Sequence, residues 1–193
     1  MSELKVNKVT PRSGTTVTLG DSGDTIALAS GASVTGNGLV GITMADQWRL
    51  SADTNTGTNA DVTTNWERVD NTGWSGIGTG LTESSGIFSF PQTGIYKIDF
   101  TADFQSDIDG RIVMFLSVTT DDSTYTAVAD VDAGNRGTSA IYTMSSSQFI
   151  FDVTNITTHK FKFTTSSFAG STTLKGNTTL NKTFFSVIRL GDT

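Results

Sequence analysis

The sequence predicts an all-β protein, an antiparallel sandwich or barrel preceded by a short β-rich N-terminal segment. Three observations carry this. Thr, Ser, Gly and Asn make up 34, 21, 20 and 10 of the 193 residues, with only two Pro. Thr suits a pleated, half-exposed surface, and Gly, Asn and Ser suit turns. Residues 95–104 alternate strictly, with Tyr96, Ile98, Phe100, Ala102 and Phe104 on one face and Lys97, Asp99, Thr101 and Asp103 on the other. That is the period of a half-buried antiparallel strand. Finally, short strand signals recur between turn clusters along the whole second part of the chain, as sandwiches and barrels require.

Residues 1–40 form the first segment. They contain no aromatic residue and carry three basic and three acidic side chains, so the net charge of −6 lies downstream. Thr16-Val17-Thr18-Leu19 is echoed nine residues later by Thr25-Ile26-Ala27-Leu28, and Gly14, Gly23 and Gly31 punctuate the repeat. Each unit reads as a strand of three or four residues closed by a Gly turn. Such a unit cannot bury its own apolar side and needs a stacked neighbour or another chain. A flexible Gly/Ser-rich linker is the competing reading; the regular apolar spacing argues against it. Val17, Leu19, Ile26 and Leu28 are the candidate anchor residues.

Residues 41–193 form the second segment. Its strands read as Gln47–Leu50, Trp66–Val69, Phe88 with Phe90, Ile95–Phe104, Ile112–Val118, Phe149–Val153, Lys160–Thr164 and Phe184–Leu190. Pro91-Gln92-Thr93-Gly94 supplies a turn, and residues 120–123, 133–135 and 175–177 are turn clusters. Two strands, Ile112–Leu116 and Phe184–Ile188, are apolar on both faces. Such a strand is either central and covered by a loop, or part of a subunit interface.

Composition excludes several classes. With no Cys there is no disulfide framework and no thiolate metal site. His159 is the only imidazole. The acidic balance argues against wrapping nucleic acid. No run approaches the ~18 apolar residues that span a bilayer, and the start lacks the apolar core of a signal peptide. Membrane insertion is therefore not expected.

Sites for chemistry are sparse. A hydrolase triad would need His159 as base. It sits among polar neighbours and reads as an exposed edge histidine. Aspartates cluster at 103, 107 and 109, at 121 and 122, and at 130 and 132. Such turns could bind calcium, but none has a spaced loop ending in Glu. Solvated turn aspartates are the plainer reading, and no cofactor is expected. Trp74 stands in a Gly-rich stretch, Asn71 to Gly78, either as an exposed platform for a sugar ring or a partner, or as a plug. The sequons at Asn155, Asn177 and Asn181 are chance matches in so Thr-rich a chain.

Two segments carry resemblances. Phe88-Ser89-Phe90-Pro91-Gln92-Thr93-Gly94-Ile95-Tyr96-Lys97-Ile98-Asp99-Phe100 resembles the signature of the complement-type globular head, a tumour-necrosis-factor-like jelly roll. Phe185-Ser186-Val187-Ile188-Arg189-Leu190 resembles that family's last strand, except that Arg189 stands where an apolar residue is common. The resemblance spans roughly residues 45–190. It implies a jelly-roll sandwich and a compact homotrimer, which would cover the doubly apolar strands. Val113, Phe115, Phe184, Ser186 and Ile188 are then the expected trimer contacts. The stretch from Val6 to Ile26 resembles a segment at the N-termini of structural and tail-fibre proteins of marine tailed phages.

Together the resemblances imply a non-enzymatic virion protein, assembled in a bacterial host's cytoplasm: a trimeric jelly-roll head (41–193) on a slim β-rich stem or anchor (1–40). Its expected partners are itself, other tail or capsid proteins, and a host surface glycan or protein. A short tail fibre would point the head at the host, with Trp74, Tyr125 and Arg136 as recognition residues on its loops. A capsid decoration protein at threefold sites is the alternative, and a polysaccharide depolymerase the enzymatic one.

Overall fold

A computed structural model describes residues 9–15, 17–18, 22–25, 41–106, 110–135 and 139–193. The chain divides into two units, residues 1–35 and 36–193. Of the anchor candidates, Leu19, Ile26 and Leu28 lie outside the described residues, and Val17 is exposed. Arg136, Asp107 and Asp109 also lie outside them.

The second unit is a sandwich of two antiparallel sheets, an all-β jelly roll. Its strands are β1 (Ala45–Leu50), β2 (Trp66–Arg68), β3 (Thr82–Ser84), β4 (Ile87–Ser89), β5 (Gly94–Ser106), β6 (Ile112–Thr119), β7 (Thr126–Ala133), β8 (Ile141–Val153), β9 (Lys160–Ser166), β10 (Thr173–Leu174) and β11 (Phe184–Gly191). The first sheet runs β8-β5-β11-β1-β2, with β10 also paired to β5. The second runs β3-β4-β9-β6-β7.

Alternation decides what lies between the sheets. Tyr96, Ile98, Phe100, Ala102 and Phe104 of β5 are all buried, as their spacing predicts. They meet Phe161 and Phe163 of β9, Phe88 of β4 and Phe185 of β11 in one aromatic cluster. Phe88 and Phe185 approach edge to face at 4.7 Å, and Phe88 stacks on Phe161 at 5.0 Å. Aromatic pairs of these geometries add about 0.5–1.5 kcal/mol each beyond area burial.

The doubly apolar strand β6 has its cover within the chain. Ile112, Met114, Leu116 and Val118 join the core, which turns Val113 and Phe115 to the other side of the strand. Even there Val113 is buried and Phe115 half-buried.

One charge is fully buried. Arg49 of β1 donates to Glu67 (2.7 Å), to Asp70 (2.7 Å), to Asn71 and to the Thr178 carbonyl. The Thr178 bond ties the β10–β11 loop down over β1. A buried guanidinium persists only when its donors are met in this way.

Candidate assembly face

Register places the outward face of the first sheet residue by residue. Ala45 of β1, Ile188 of β11, Lys97 of β5 and Ile150 of β8 form one row at the end where the chain enters the head. Gln47, Ser186, Asp99 and Gln148 form the next, and Arg49, Phe184, Thr101 and Ser146 the third. Beyond them Met144 stands opposite Asp103, and Tyr142 opposite Gln105.

Several large apolar side chains stand exposed on this face among its polar ones. Tyr142 is 65% exposed, Ile150 58% and Met144 56%, and Leu190, at the bulge ending β11, is 54% exposed. Two of its charge pairs are matched within the face: Lys97 pairs with Asp99 at 2.9 Å and Lys182 with Asp103 at 3.0 Å, while Asp152 stands opposite Ile95 at its end. The Thr101 and Ser146 hydroxyls bond each other at 2.8 Å. Small side chains there leave a shallow hollow of about 250 Å³, walled by Phe184 and Gln148. Exposed apolar side chains next to paired charges and a bonded Thr–Ser pair can be covered by another surface at less desolvation cost than free charges would impose.

The predicted contact residues divide between the two sheets. Phe184, Ser186 and Ile188 lie on this face, while the core takes Phe185 and Val187 between them. Val113 and Phe115 belong to the second sheet, on its opposite outward side. The five therefore share no single face. Sequence reading did not mark Tyr142 and Met144. Their signal was the alternation Tyr142-Thr143-Met144, but the serines that follow hid the strand.

Of the predicted recognition residues, Trp74 and Tyr125 are described and Arg136 is not. The Trp74 loop returns to the end where β1 begins, through paired bonds between Ala45 and Ile77 at 3.1 and 3.0 Å. The turn before Tyr125 joins that same end, since Thr119 and Ser89 both stand beside Lys160. Trp74 is half-buried rather than a free platform. Tyr125 is half-buried too, with the Lys162 ammonium 4.4 Å from its ring centre. Burial pushes its phenol up, and the Asp122 and Asp61 carboxylates add to that.

His159 corrects the expectation of an exposed edge residue. It is only 8% exposed, stacked on Phe151 at 5.7 Å. Its two ring nitrogens meet the hydroxyls of Thr154 and Thr158, each at 3.1 Å. Its polar sequence neighbours concealed this, because the cover comes from β8.

The described members of the acidic clusters have partners within the fold. Asp121 accepts from the backbone N–H groups of Thr124 (2.7 Å) and Ser123 (2.9 Å) and from the Thr119 hydroxyl (2.8 Å). These bonds hold its carboxyl well below the usual carboxylate range. Arg111 bridges Asp130 and Asp132, and Lys160 pairs with Asp122. Among the described residues no three His, Asp or Glu side chains gather as a metal site would require.

No protein-family model and no curated protein matches the sequence. Solved structures do match in fold. A tumour-necrosis-factor protein of S. frugiperda, Eiger, superposes with a TM-score of 0.63 at 13% identity, covering 79% of this chain and 95% of that one. Murine APRIL at pH 5.0 superposes with a TM-score of 0.57 at 15% identity, covering 76% and 98%. At this identity the likeness concerns the fold: the head is a tumour-necrosis-factor-like jelly roll.

Proposed function

We propose that this chain is a non-enzymatic structural protein of a phage particle, a short tail fibre or appendage whose jelly-roll head forms a homotrimer and meets the host surface. One observation carries the self-association: the outward face of the first sheet, which gathers Phe184, Ile188, Ile150, Met144 and Tyr142. Interfaces between copies concentrate aromatic residues and Met at their centres and place charge at the rim. The virion setting rests on the resemblance of the stretch from Val6 to Ile26 to phage structural proteins. The non-catalytic reading is supported by His159, whose ring nitrogens are occupied by threonines.

Gold-labelled antibody against the head, imaged on intact particles by electron microscopy, tests the location. The tail-fibre reading expects label at the tail. Label at regular positions over the capsid would replace it with the decoration reading, and unlabelled particles would end both. Incubating the protein with host polysaccharide and assaying new reducing ends tests for depolymerase activity; none is expected.

A further inference from the structure

Beside β1, the Gly-rich loop between β2 and β3 borders a second hollow of about 240 Å³, lined by Ala45, Asp46, Arg68, Trp74 and three glycines. Its base is rigid. The buried Asp46 carboxylate accepts from Trp48 Nε1 (2.9 Å), the Leu81 N–H (2.8 Å), Arg68 Nε (2.9 Å) and Arg68 Nη2 (3.1 Å). Arg68 Nη2 also donates to the Leu81 carbonyl at 2.6 Å, and the guanidinium lies 4.8 Å from the Trp48 ring centre. The loop is pressed onto this base. A Cβ on Gly80 would come within 2.4 Å of Asp46 Oδ2, and one on Gly78 within 2.2 Å of the Thr43 carbonyl.

Two donors remain. Arg68 Nη1 and Trp74 Nε1 have no partner among the described residues. Asp46, by contrast, has both oxygens filled, and its charge is balanced by Arg68. The hollow's lining residues therefore bring an indole, two unengaged N–H donors, no free carboxylate and a balanced charge pair. It is smaller than the ~300 Å³ of most drug-sized sites, which limits it to a single small ring. A neutral pyranose meets these terms: its C–H face packs on an aromatic ring, and its hydroxyl oxygens accept from N–H donors.

We infer that the hollow between Arg68 and Trp74 binds one neutral pyranose ring of a polysaccharide. This rests on the host-contact reading only for its purpose; the site itself does not depend on trimerisation or on a virion setting.

Saturation-transfer NMR with the methyl pyranosides of glucose, galactose and mannose, on the full-length chain, tests it. Transfer to ring protons of at least one glycoside is expected. Trp74→Ala should weaken that binding by about tenfold, the scale of a lost aromatic contact. Ala45→Gln, which fills the hollow and leaves Trp74 in place, should abolish it and serves where Trp74→Ala fails to fold. No transfer to any of the three glycosides, or transfer undiminished in a folded variant, overturns the proposal. Because Ala45 also stands beside Ile188 on the outward face of the first sheet, sedimentation of Ala45→Gln is read alongside, and loss of binding counts only where the oligomeric state is unchanged.

Discussion

Phe184 stands opposite Thr101 on the outward face of the first sheet, while the next residue, Phe185, stands opposite Phe100 in the core. Two adjacent phenylalanines thus serve different purposes, and substitution separates them. If the head is the proposed trimer, Phe184→Asp should leave it folded and yield monomer, because three copies would each bring a carboxylate into the contact. Light scattering after gel filtration reads this. Phe185→Ala should instead lower unfolding stability by about 3–5 kcal/mol, the usual cost of a deleted core aromatic.

The Arg49 cluster predicts an asymmetry between its two acids. Glu67 is largely covered and Asp70 largely exposed. Glu67→Ala leaves one nitrogen of a buried guanidinium unmatched and should cost about 1–3 kcal/mol in urea unfolding. Asp70→Ala should cost less than about 1 kcal/mol, since water replaces an exposed partner.

Asp121 should contribute to acid sensitivity. Its native carboxyl is held below the ordinary value of 3.8 by hydrogen bonds, foremost that from the Thr124 N–H. A depressed native pKa means that the stabilisation is complete above the ordinary value and is lost as pH falls below it. Asp121→Asn keeps an acceptor but cannot protonate. Its melting temperature should therefore fall less steeply than that of the unsubstituted protein between about pH 5 and pH 2.5.

Gly78 adopts φ +64°, and a Cβ there would collide with the Thr43 carbonyl. Gly78→Ala should cost about 1–3 kcal/mol by thermal or urea unfolding. It should also loosen the Trp74 loop, seen as faster amide exchange at Ile77, which bonds to Ala45.

Much of the fold was legible because the core strands obey a simple period. β5 was readable nearly to its ends, and β1, β6, β9 and β11 carry enough large apolar residues to stand out. β7 and the first half of β8 did not. They are edge strands, and Ala127, Ala129 and the run Ser145 to Ser147 bring too little apolar contrast to mark a face. β10 is two residues long and exists only by pairing with β5. The candidate face was half-visible. Phe184 and Ile188 announced it, but Tyr142 and Met144 join only when β8 pairs with β5 across more than thirty-five intervening residues. The burial of His159 is likewise tertiary, since its cover comes from Phe151 of β8.

The claim that matters most is that the outward face of the first sheet is covered by copies of the same chain. Sedimentation velocity of the purified, full-length protein at micromolar concentration tests it most directly. A single species of three times the chain's mass is expected, collapsing to one chain mass in Phe184→Asp. A well-folded monomer for the unsubstituted protein, with Tyr142, Met144 and Ile150 left in water, would contradict it.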